Sequence, residues 1–301
     1  MLPRCVIIVS MSIEDRLIRN IDNERRHSST ELSPLMKRAY TEAQALLENP
    51  DYTIQESEFA SLYGDTAVQQ DIALTNRLKE QFKARNSPEE ERQKKVADIF
   101  EAIVLVQSES NEWLGGAQTL KTSPYEDFIN KVDMIAEWST PTDGSRVLAL
   151  AVDVTFGTMS IRRKLADIKS EIDGDKLGSI KYFRDERKDF MGTRNNVPRA
   201  VVGVSESVVE ELADLWVQKK NKELSTHPVQ HLFIREIETQ LSAMHDYAVA
   251  RGQHGVVQAY TQALASIRPI HNSKLKYKSP ALLQDRVASE IASAIETEFR
   301  H

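Results

Sequence analysis

Two short apolar runs, "KVDMIAEW" at 131–138 and "RVLALAVDVTFG" at 146–157, each carry one aspartate, Asp133 and Asp153. Both are rich in strand-compatible residues, and "STPTDGS" between them supplies turn residues. In an antiparallel hairpin the residue numbers of each pair have a constant sum. Setting Asp133 opposite Asp153 places Val132 across from Val154, Met134 from Val152, Ala136 from Leu150 and Trp138 from Leu148. The other face pairs Lys131 with Thr155, Ile135 with Ala151 and Glu137 with Ala149. Alternation makes this register consistent, since a one-residue slip of one strand mixes the two faces. Carboxylates directly opposite each other stand about 5 Å apart at Cβ and repel. A proton, a nearby lysine or a divalent cation offsets that repulsion. Mg²⁺ (or Mn²⁺) suits two carboxylates with open coordination positions, because Mg²⁺ keeps several waters and takes substrate phosphate. The plainer alternative has both aspartates capping turns or pairing with arginine on an exposed sheet face.

The elements that must position these residues follow from periodicity and punctuation. "SPLMKRAYTEAQALLEN" from Ser33 opens with serine then proline and carries a rough stripe of Leu35, Tyr40, Ala43, Leu46 and Leu47. "ESEFASLYG" and "AVQQDIALTNRLKEQFKARN" read as further helices. A helix over about 88–108 has Ser87 as cap, Pro88 at the first position and three glutamates in the first turn. "SIRRKLADIKSEIDG" is amphipathic through Ile161, Leu165, Ile168 and Ile172 and stops at Gly174. "GSIKYF" is ambiguous, and "NVPRAVVGVS" reads as a short buried strand. Helices follow over 206–224, 228–251, 254–267 and 280–299. The pattern predicts an α/β or α+β chain with its sheet confined to about 117–205.

The chain has 301 residues, of which 41% are hydrophobic and 28% charged, an ordinary globular composition. Cys5 is the only cysteine, so no intrachain disulfide and no cysteine-based zinc site can form; a reducing, cytoplasmic setting fits. "CVIIVSM" at 5–11 is too short to span a bilayer, which needs about 20 residues, and makes a poor signal peptide. No membrane association is expected. The net charge is −6, yet Ser160 to Arg199 holds eleven Lys/Arg against seven Asp/Glu, a surplus of four that leaves −10 for the rest. Such a segment binds nucleic acid locally or forms a solvated, salt-bridged surface.

Taken together, the residues resemble the PD-(D/E)XK nuclease superfamily over about 91–205. The resemblance implies a restriction-endonuclease-like core, a mixed sheet flanked by helices, with added N- and C-terminal helical segments. It divides the chain into a 1–32 leader, a 33–90 helical segment, the 91–205 core and a 206–301 helical segment. It assigns metal ligation to Asp133, Asp153 and Glu101, the last from "RQKKVADIFEAIVLV", with Glu109 as competitor. The motif's lysine position holds Thr155; Lys164, then Lys181, then Lys131 are available to replace it. The implied activity is Mg²⁺-dependent phosphodiester hydrolysis of DNA or RNA. Arg162, Arg163 and Lys169 are candidates for backbone phosphate contacts. The alternative is a catalytically inactive binding or structural module.

Other motifs carry less. His227 and His231 in "HPVQH" have the spacing of a helical metal pair, but Pro228 stands where a zincin needs glutamate, and a proline helix start is simpler. "WLGG" at 113–116 lacks the spacing and lysine of a phosphate loop.

Overall fold

The computed structural model describes residues 31–140, 144–152, 158–185 and 189–300, with backbone alone for 139–140, 144–152 and 158–160. Asp153 and Thr155 lie outside the described residues, as do Cys5 and the "CVIIVSM" run.

The N-terminal third is helical. α1 (Pro34–Leu47) starts as expected, with Ser33 accepting from the Met36 N–H, and buries Met36, Ala39 and Ala43. A 3₁₀ turn (Glu56–Phe59) runs into α2 (Ala60–Tyr63), and α3 (Asp65–Arg85) follows. α4 (Pro88–Asn111) has a reciprocal capping box between Ser87 and Glu90 and three glutamates facing its positive end. From Ile99 to Leu105 it is buried on every side, as befits a helix between layers.

Six short strands follow. β1 (Gln118–Lys121), β2 (Met134–Thr140) and β3 (Gly144–Val152) form an antiparallel meander. α5 (Thr158–Asp173) crosses over, and β6 (Arg199–Val202) then pairs parallel with β3. The sheet order is β1-β2-β3-β6. Between α5 and β6, β4 (Gly178–Arg184) and β5 (Met191–Val197) make a separate two-stranded ribbon. The C-terminal part holds α6 (Glu206–Val217), α7 (Asn221–Ser225), α8 (Val229–Arg251), α9 (His254–Lys274) and α10 (Arg286–Glu298).

Side chains within β2 alternate as the sequence predicts: Met134, Ala136 and Trp138 enter the main core, whereas Ile135 joins a second cluster with Ile54, Phe59, Tyr182 and Phe183. Val132, expected on the Met134 face, lies ahead of β2 and falls in that second cluster instead. β6 is an edge strand whose free backbone is satisfied by α8. Gln240 accepts from the Val201 N–H at 2.9 Å and donates to the Val201 carbonyl, and Glu236 accepts from the Gly203 N–H at 3.2 Å.

Two expectations are corrected. The first is the hairpin register. Met134 pairs with Leu150, Ala136 with Leu148 and Trp138 with Arg146, closing at Thr140–Gly144. This is two residues from the register that sets Asp133 opposite Asp153. A two-residue shift preserves alternation, so alternation alone does not choose between the two registers. The second is fold class. The chain is predominantly helical, its strands run from four to nine residues, and it is not a restriction-endonuclease-like mixed-sheet core. The main core runs from Leu32 to Phe299 and is built largely from helix side chains. Sequence reading gave the middle segment the weight of a sheet-centred domain, because β-branched runs are conspicuous there and helix–helix packing has no equally local signature.

Candidate functional site

Charged side chains converge where α4, the end of β1, the approach to β2 and the start of α5 meet. β1 presents Thr119 and Lys121 toward α4 and Leu120 toward the second cluster, as alternation requires. Thr119 donates to the Leu105 carbonyl, and Glu109 accepts from its N–H and hydroxyl. Lys121 forms an ion pair with Glu101, whose side chain is only 10% exposed. Glu101 therefore sits inside the packed interface, and its competitor Glu109 holds β1 against α4.

Asp133 lies just before β2, where the Thr122 N–H donates to its carbonyl at 3.1 Å. Its carboxylate Oδ2 is 3.9 Å from Lys164 Nζ on α5. Burial pushes the Asp133 carboxyl up to about 8; Lys164 opposes that, and the negative charges of Asp127 and Glu101 add to it. The Glu101 carboxyl is likewise raised by burial, with Lys121 pulling it down and Asp127 pushing it up. Burial works against the Lys121 charge, yet Glu101, Asp127 and Asp133 together hold its pKa above the ordinary lysine value. The site is thus a partly desolvated set of carboxylates, Glu101, Asp127 and Asp133, interleaved with Lys121 and Lys164.

Asp127 comes from a π-helical turn, Glu126–Asn130. Buried Glu126 anchors that turn by accepting from the Lys181 and Tyr182 N–H groups at 2.8 and 3.0 Å. Asp127 and Lys121 have no place in the sequence-based site. Recognising β1 as a strand would have placed Lys121 beside Thr119, but four residues give too short a run for period two to register. Nothing local marks Asp127.

Lys181, a sequence candidate for the motif's lysine, sits on β4. It pairs with Asp71 of α3 and lies 5.1–5.5 Å from the rings of Tyr63, Tyr125 and Tyr182. It is engaged there, away from the Asp133 carboxylate. Lys131 pairs with Asp167 at 3.2 Å. Arg162 and Arg163 are exposed on α5, and Lys169 packs over Tyr247 at 5.3 Å.

Among the described residues, no group of three His, Cys, Asp or Glu side chains is arranged to hold a metal ion. Asp133 and Glu101 offer oxygen donors, the type a hard cation takes, and burial disfavours the charged form of both carboxyls. Pro228 is the N-cap of α8, as expected for "HPVQH". Gly115 of "WLGG" has φ 65°, and a Cβ there would come 2.6 Å from Ile270, so the glycine serves close packing against α9.

Comparison with protein-family models, with curated proteins and with solved structures finds no match. Among the described residues, no helix is long and apolar enough to cross a membrane.

Proposed function

We propose that this protein hydrolyses phosphodiester bonds of DNA or RNA with a divalent cation, Mg²⁺ or Mn²⁺, held by Asp133 and Glu101. One observation carries the reading: a carboxyl raised by burial and by neighbouring carboxylates, with a lysine ammonium 3.9 Å away. When bound, the cation would supply an activated water and offset charge growing on the phosphate. Asp133 would hold a ligand position in its ionised form, which Lys164 favours. Lys164 is also placed to meet a phosphate oxygen or orient water, the role the superfamily motif gives its lysine. Lys121 favours the charged form of Glu101, against the burial that raises its pKa, and orients it inside the interface. The motif resemblance supplies Asp153 as a further ligand. Arg162 and Arg163 are exposed on the same helix as Lys164 and are free of any need to fill the core, which suits backbone phosphate contacts. A single cysteine supports a reducing, cytoplasmic setting.

Thermal melting with and without Mg²⁺ or Mn²⁺ tests this on the wild type and on Asp133→Asn. The cation should raise the melting temperature of the wild type and not of the variant. Only the wild type should cut mixed DNA and RNA substrates. No shift and no cleavage would overturn the reading.

A second reading, an inactive binding module, is favoured by one contact: Glu101 is already neutralised by Lys121. It expects nucleic-acid binding without cleavage at any cation concentration.

A further inference from the structure

The C-terminal half of α3 stands out from the rest of the fold. Over the whole helix only Val68 and Thr75 are buried, and from Asn76 to Arg85 every residue is exposed except half-buried Leu78. This stretch carries Arg77, Lys79, Lys83 and Arg85 against one acid, Glu80, in a chain whose net charge is −6. Lys79 and Lys83 are four apart and share a flank, where like charges repel. Arg77 and Arg85, eight apart, share the other flank. Leu78 and Phe82 run between the two flanks. Phe82 is 55% exposed, a large aromatic left in water. Its ring centroid is 5.9 Å from that of Phe128, and Lys79 Nζ is 5.8 Å from the same Phe128 ring.

Phe128 connects this surface to the candidate site. It follows Asp127, whose charge acts on Glu101, Lys121 and Asp133. The basic helix end therefore adjoins the acidic cluster. Cations repelling one another beside an exposed aromatic are what a polyanion with stacking bases relieves: phosphates neutralise the two flanks, and a base covers the ring.

We infer that the exposed half of α3, through Arg77, Lys79, Lys83, Arg85 and Phe82, binds the phosphate backbone of a single nucleic-acid strand and leads it to the Asp133 site. The inference rests on the nucleic-acid reading above for its ligand, but not on catalysis. Arg162 and Arg163 then bear on the strand from α5.

The test is fluorescence anisotropy of an end-labelled single-stranded oligonucleotide in EDTA, over a salt series, with the full chain. The variants are a combined Arg77→Gln, Lys79→Gln, Lys83→Gln and Arg85→Gln, and Phe82→Ser. All the α3 positions are surface positions, so circular dichroism and melting should match the wild type. The quadruple variant should lose at least about tenfold in affinity. Its dependence of log K on log salt should flatten by about 0.7 for each phosphate contact removed. Phe82→Ser should weaken binding with the salt slope unchanged. An unchanged affinity and slope in the quadruple variant overturns the inference, even if the wild type cuts nucleic acid. Weakened binding together with no cleavage by the wild type upholds it and removes the catalytic reading instead. Vesicles containing phosphatidylserine form a second arm: if they bind the wild type, lose the quadruple variant, and the oligonucleotide binds neither, the surface is a lipid-headgroup site and the inference fails.

Discussion

Lys164 Nζ stands 3.9 Å from Asp133 Oδ2, across the gap between α5 and the approach to β2. That separation is longer than a hydrogen-bonded ion pair, and it leaves Asp133 only partly compensated. The carboxyl stays up at about 8 because burial, with the neighbouring Asp127 and Glu101 carboxylates, outweighs the Lys164 and Lys121 ammonium groups.

Asp133 should make stability fall as pH rises. Its folded-state pKa lies above the unfolded value of about 4, so its contribution is complete below pH 4 and is lost as pH climbs through about 8. Asp133→Asn removes the ionisation. The variant should melt with the wild type at pH 4 and above it at pH 8, by roughly 1–3 kcal/mol in unfolding free energy, the ordinary cost of an uncompensated buried polar group. Differential scanning calorimetry across pH 4–9 measures this, and parallel curves for the two proteins would sink it.

Lys121 and Glu101 form a pair that cannot lose one member cheaply. Lys121→Met leaves a carboxylate buried without its cation and should cost about 3–5 kcal/mol. Adding Glu101→Gln to Lys121→Met should return much of that loss, since the remaining group is neutral. Urea denaturation of the single and double variants, read as a mutant cycle, decides it: additive losses would mean that the two side chains do not act on each other.

Glu236 contributes a second raised carboxyl, remote from the site. Burial lifts its pKa well above the ordinary range, and the nearby Asp285 charge adds to that, against the Gly203 N–H it accepts. The other oxygen, Oε1, has no hydrogen-bond partner. A raised pKa again means stability present at low pH and lost as pH rises. Glu236→Gln mimics the protonated form and should be near neutral at pH 5 and stabilising by roughly 1–3 kcal/mol at pH 8. A variant less stable than wild type at both pH values would show that Glu236 folds ionised.

How far these features could be read from the sequence depends on how local their causes are. α4 was legible because Ser87, Pro88 and the three following glutamates act within one turn. The two faces of β2 were legible because alternation survives a register shift of two. The shift itself was not, since a two-residue slip leaves every β2 side chain on the same face. Glu101 entered the sequence reading through the superfamily resemblance, and Asp133 through a hairpin register that the structure shifts by two. Lys121 was missed because β1 is four residues long, and Asp127 because a π-helical turn has no sequence pattern of its own. The helical weight of the fold was underestimated for a similar reason. Packing of α8 against β6 through Gln240 and Glu236 depends on contacts 33–39 residues apart in the chain.

Lys181 separates a surface anchor from a site residue. Its ammonium is shared between Asp71 of α3 and the faces of Tyr63, Tyr125 and Tyr182, so it ties α3 to the β4–β5 ribbon. Lys181→Met keeps the hydrophobic stem and deletes the charge. It should cost about 1–2 kcal/mol through lost cation–π and ionic contact. Its effect should appear as faster amide exchange in α3, with cation-dependent melting and any nucleic-acid cleavage retained. Lys164→Met should do the reverse, sparing α3 and reducing cleavage at least about a hundredfold, the range for losing a charge-stabilising donor. If Lys181→Met abolished cleavage while α3 kept its protection, the lysine would belong to the reaction, and the assignment of that role to Lys164 would fall with it.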